Sequence, residues 1–96
     1  MAFISRDPQR ADQVAGILEA LGHPLRIRII SLLVSDGSRY VGGLAEQLRV
    51  HRSILSQHLR ILRMQHLVVA TRRDGFAWYD LTEPKLVELV AWECPC

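Results

Sequence analysis

Apolar residues recur at helical spacing in four stretches before Leu67, and the pattern changes to strand spacing after it. Asp7-Pro8 reads as an N-cap residue followed by proline at the first helical position, and Val14, Ile17, Leu18 and Leu21 then repeat at i, i+3, i+4 and i+7. A first helix with one apolar stripe follows, stopped by Gly22. His23-Pro24 opens a second helix with Leu25, Ile29, Leu32 and Leu33 inward and Arg26 and Arg28 outward, ended by Asp36-Gly37. An extended piece around Ser38 to Tyr40 leads to a short third helix that turns Leu44, Ala45 and Leu48 inward, its first turn weakened by Gly42-Gly43. After a link over residues 49–52, a fourth helix runs from about Ser53 to Gln65. Leu55, Leu59 and Leu62 lie on one side of it and Ser53, Ser56, Gln57 and Arg60 on the other.

From Leu67 to Arg73 and from Phe76 to Leu81 the residues are β-formers, separated by Asp74-Gly75. Asp-Gly between two such runs predicts a two-residue hairpin turn, because glycine takes positive φ without a steric cost. Thr82 and Pro84 start a last helix carrying Leu86, Val87, Leu89, Val90 and Trp92, and the sequence closes on Cys94-Pro95-Cys96. The expected fold is mainly α with a β-hairpin wing, in one domain over residues 1–96. The third and fourth helices form a helix-turn-helix over about 42–65, and the wing spans about 67–81. The terminal helices, about 8–21 and 83–93, carry apolar residues that 96 residues have little room to bury. Val14, Ile17, Leu21, Leu86, Val90 and Trp92 are therefore the candidate surface for a two-fold partner.

Composition narrows the function. A chain that is 49% hydrophobic and 23% charged folds. It contains no apolar run of the roughly 18 to 20 residues that a membrane span needs and no secretory signal pattern, so a cytoplasmic protein without a membrane partner is expected. Two cysteines one residue apart cannot build a cross-linked framework.

Charge narrows it further. Between Arg49 and Arg73 lie six arginines, three histidines and no acidic residue, while the rest of the chain sets the other six basic residues against all ten acidic ones. A contiguous positive stretch in an otherwise mildly acidic chain suits a polyanion, and arginine's planar fork binds two phosphate oxygens at once.

The polar row on the fourth helix has the spacing that a helix in a major groove presents to base edges and flanking phosphates. Gln57 can pair bidentately with adenine and Arg60 with guanine or phosphate, while Ser53 and Ser56 can bond base or phosphate oxygens. With Arg52 at the helix entry and Arg72 and Arg73 near the wing tip, these form the candidate contact set for double-stranded DNA, although Asp74 puts one negative charge there. His58 is expected to be partly buried, His51 to touch phosphate, His66 to end the fourth helix and His23 to cap a turn. Of Trp78 and Tyr79, one should fill core and the other support the wing. A competing reading keeps the fold but docks a protein on this surface. An enzyme is disfavoured, because the chain has no Gly-x-Ser-x-Gly, phosphate-binding glycine loop or His-Glu-x-x-His.

Three passages resemble the ArsR/SmtB family of bacterial winged-helix repressors. They are Leu21-Gly22-His23-Pro24-Leu25-Arg26-Ile27-Arg28-Ile29-Ile30, then Leu44-Ala45-Glu46-Gln47-Leu48 with Ser53-Ile54-Leu55-Ser56-Gln57-His58-Leu59-Arg60-Ile61-Leu62, and Leu67-Val68 through Arg72-Arg73-Asp74-Gly75 to Trp78-Tyr79-Asp80-Leu81. The resemblance implies a homodimeric repressor joined through its first and last helices, with the fourth helix in the major groove of an inverted-repeat operator. It also implies release of DNA by a metal or metalloid, but the family's Cys-Val-Cys site falls on Tyr40, Val41 and Gly42, and its last-helix zinc site meets no histidine between Leu81 and Trp92. Cys94 and Cys96 stand where some relatives place sensing thiols. Three readings stay open for them: a soft metal or metalloid site, a pair that oxidises, or a terminal pair without a role.

Overall fold

Asp7 caps the first helix as expected, its carboxylate accepting from the N–H groups of Gln9 and Arg10. In this computed structural model, which describes residues 7–82, the elements are α1 (Pro8–Ala20), α2 (Pro24–Asp36), β1 (Arg39–Tyr40), α3 (Val41–Leu48), α4 (Arg52–Met64), β2 (Val68–Arg73) and β3 (Phe76–Leu81). The expectations for the helix over 83–93, and for Leu86, Val90, Trp92, Cys94 and Cys96, lie outside the described residues.

The link between α3 and α4 is one residue tighter than the sequence suggests. Arg49 adopts φ +56 and closes α3 with its N–H on the carbonyls of Ala45 and Glu46, and α4 already begins at Arg52. Asp74 and Gly75 take φ +53 and +82, the two positive values a type I′ turn requires, and pair β2 with β3 in the register Arg73 to Phe76 through Val68 to Leu81. β1 adds to the other edge of β3, with Arg39 opposite Tyr79 and Tyr40 opposite Trp78, giving a three-stranded antiparallel sheet in the order β1-β3-β2. The wing is thus anchored to the segment that leads into the helix-turn-helix.

One apolar core gathers these elements. Leu55, Leu59 and Leu62 of α4 are fully buried with Ile29 and Ile30 of α2 and Leu44 of α3, and Leu67 and Val68 seal the sheet against them. Burying a leucine stabilises by about 1.5–3 kcal/mol, so the three on α4 fix which way that helix faces.

Three expectations need correction. Ile30 joins the core and Leu32 is only half-buried, because α2 is enclosed on more than one side and its buried arc is wider than one stripe. Arg26 is half-buried rather than outward, and its Nε finds no hydrogen-bond partner among the described residues. Leu21, placed at a dimer surface by its spacing, sits in the core of the single chain as the C-cap of α1. On α1, Val14 and Ile17 are half-buried and Leu18 is 58% exposed.

Candidate nucleic-acid interface

The exposed polar face of α4 follows from how the helix starts and what it packs against. His51 is the N-cap: its Nδ1 accepts from the Ser53 N–H at 3.2 Å and lies 2.8 Å from the Ser53 hydroxyl. Nδ1 of this ring is therefore used in starting the helix, and it holds Ser53 with it. With the leucines pinned inward, Ser53, Ser56, Gln57 and Arg60 all emerge on the exposed side, where the sequence puts them. Ser56, Gln57 and Arg60 make no side-chain hydrogen bond or ion pair among the described residues, so their donors and acceptors face solvent ready for another partner.

His58 lies beside this face, half-buried, with its ring 4.5 Å from that of His23. His23 caps α2 by accepting the Leu25 N–H at 3.1 Å. Burial, and then the neighbouring His23 and Arg26, push the His58 pKa below its ordinary value, so this histidine packs neutral at neutral pH. α4 ends at Met64 with Gln65 as C-cap, and His66 follows in the left-handed region at φ +58, just past the end it was expected to form.

The arginines differ among themselves. Arg52 lies over Gly42: a Cβ there would come within 2.9 Å of its Nη2 and 2.7 Å of Cε2 of Tyr40. Gly42-Gly43, which weakens the first turn of α3, is what lets Tyr40 and Arg52 approach the helix backbone. Arg72 is exposed and makes no side-chain hydrogen bond or ion pair among the described residues. Arg73 is exposed too, but it is engaged. Its guanidinium carbon stands 4.7 Å from the centre of the Trp78 ring, and its Nη2 donates to Ser38 Oγ at 2.8 Å. Trp78 in turn packs on Tyr40 at 5.4 Å, and Tyr40 meets Phe76 edge-on at 5.6 Å. Tyr79, on the opposite face of the sheet, packs against the core.

Ser38, Tyr40 and Phe76 escaped the sequence reading. Phe76, 57% exposed beside the turn, carried a local signal as a large aromatic directly after Asp-Gly. Ser38 carried none, since its partner is 35 residues away.

The family-implied metal position fails on these residues. Tyr40 carries a phenol, packed against Trp78 and Phe76, and Gly42 has no side chain, so neither position holds the thiolate that site needs. Among the described residues no three His, Cys, Asp or Glu side chains come together to hold a metal ion.

Comparison with known proteins agrees with this geometry. The family of bacterial regulatory proteins called arsR matches residues 23–69, which run from the cap of α2 into β2. The biofilm growth-associated repressor of Xylella fastidiosa is 38% identical over 82 residues, covering 85% of this chain and 71% of that protein. The chain belongs to the arsR family. Its fold is that of solved relatives. The crystal structure of the transcriptional repressor BigR from Xylella fastidiosa matches with a TM-score of 0.78 at 37% identity, over 86% of this chain and 84% of that one. The solution NMR structure of the homodimeric winged helix-turn-helix DNA-binding domain of Mb0332 from Mycobacterium bovis matches with a TM-score of 0.79 at 28% identity, over 88% and 81%. An arsR-family protein is a transcriptional regulator rather than an enzyme. No helix among its described residues is long and apolar enough to cross a membrane.

Proposed function

We propose that this arsR-family regulator is a cytoplasmic, homodimeric repressor that seats α4 in the major groove of double-stranded DNA at an inverted-repeat operator, with its hairpin against the flanking backbone. One observation carries the reading: Ser56, Gln57 and Arg60 project together from a helix pinned by three fully buried leucines, with none of their polar groups used inside the described chain. A helix held rigidly with free donors and acceptors at groove spacing loses little on docking, whereas a face already bonded to itself would have to break those bonds first. The arginine-rich, acid-free stretch from Arg49 to Arg73 contributes the non-specific attraction to phosphate.

The dimer reading is supported by α1, where Val14 and Ile17 are half-buried and Leu18 is exposed, and by the match of the fold to the Mb0332 domain, which is named as homodimeric. A two-fold dimer presents its recognition helices to half-sites about one helical turn apart, roughly 34–36 Å.

The test is competition at moderate salt between an inverted-repeat duplex selected from a random pool and unselected duplex. A sequence-specific regulator binds the selected duplex at least about a thousandfold more tightly. Equal binding of both would favour the protein-docking reading of this surface.

A further inference from the structure

We infer that the two neighbouring wing arginines do different jobs: Arg72 is the arm that meets DNA phosphate, and Arg73 is a positioning residue that sets the angle of the hairpin. The inference rests on the DNA-binding reading above and refines it. In the β2–β3 register Arg73 stands opposite Phe76 and Arg72 opposite Ala77, so the two side chains leave the hairpin on opposite faces. On one of these faces Arg73 crosses from β2 over Trp78 of β3 to Ser38, the residue before β1, and so ties β2 to β3 and to the segment that enters β1. Trp78 rests on Tyr40, and Tyr40 closes over Gly42 and Gly43 of α3, with Arg52 of α4 against the same glycine. A continuous layer, Arg73 to Trp78 to Tyr40 to Gly42 to Arg52, therefore joins the wing to the start of the recognition helix.

An arginine stacked on a ring and bonded through Nη2 to a serine is held in place by both, and turning that nitrogen to a phosphate would cost the Ser38 bond and disturb the stacking. Among the described residues Arg72 has no such contact to give up. If both arms were phosphate contacts, each would release counterions on binding, and the salt dependence of affinity counts those contacts directly.

The experiment is fluorescence anisotropy of a labelled mixed-sequence duplex titrated with the full chain over a series of salt concentrations, for wild type, Arg72→Ala, Arg73→Ala and Ser38→Ala. Arg72→Ala should lower the slope of log affinity against log salt by about 0.9 per subunit, or about 1.8 per dimer. Arg73→Ala should weaken binding by about two- to fivefold, the size of an exposed cation–π contact, with the slope unchanged. Ser38→Ala should shift affinity in the same direction by less, again without a change of slope. A slope reduced by Arg73→Ala as much as by Arg72→Ala would overturn the division, as would unaltered affinity for Arg73→Ala or an unaltered slope for Arg72→Ala. A wild-type chain that showed no salt-dependent duplex binding would instead sink the DNA-binding reading beneath it.

Discussion

On α4, Leu55, Leu59 and Leu62 are sealed in the core while Ser56, Gln57 and Arg60, on the far side of the same turns, spend none of their bonds within the described chain. On the hairpin, Arg73 and Trp78 of the outer face are already engaged with each other and with Ser38 and Tyr40. On the proposed function the helix separates its two tasks by side, holding with one and reading DNA with the other. On the hairpin, adjacent residues leave on opposite faces, and the inference above divides support and contact between Arg73 and Arg72. A helix of this kind is sensitive inside for stability and outside for binding, and a wing of this kind is sensitive through its supports.

The strongest way to sharpen that contrast is Leu59→Ala. It leaves a cavity under α4 and should cost about 2–5 kcal/mol of folding stability in denaturant unfolding. On the opposite side, Gln57→Ala and Arg60→Ala should each weaken binding to a selected operator by about 1–3 kcal/mol while leaving unfolding within about 0.5 kcal/mol of wild type. A loss of stability comparable to that of Leu59→Ala would break the division between the two sides.

At the wing, Gly75→Ala places a side chain at φ +82 and should cost on the order of 1 kcal/mol of stability, read as a lowered melting temperature. The smallest effect is one of pH. Because His58 has its pKa lowered in the folded chain, the unfolded chain takes up that proton first as pH falls. The His58 contribution is intact above the ordinary histidine value of about 6.5 and is lost progressively below it. His58→Phe should flatten the dependence of stability on pH between neutrality and about pH 5.

The local patterns were legible and the distant ones were not. The α4 leucines, the polar row, the Asp7 and His23 caps and the Asp74-Gly75 turn each depend on residues a few positions apart, where period and turn chemistry act directly. Leu21 was misplaced because the same apolar stripe serves a core or a partner equally well, and only the packing of other elements decides between them. Ile30 was missed because a helix enclosed on several sides has no single stripe. The tie from Arg73 to Ser38 spans 35 residues, and the role of Gly42 in admitting Tyr40 and Arg52 depends on three elements meeting.

The most direct measurement is a backbone-amide NMR titration of the chain with a selected inverted-repeat duplex. The largest shifts should fall at Ser53, Ser56, Gln57 and Arg60, with a second group at Arg72 to Gly75, while the buried Leu55, Leu59 and Leu62 move little. Unmoved amides along the outer side of α4, with the shifts gathered instead on α1 or α2, would contradict the claim that this helix reads DNA.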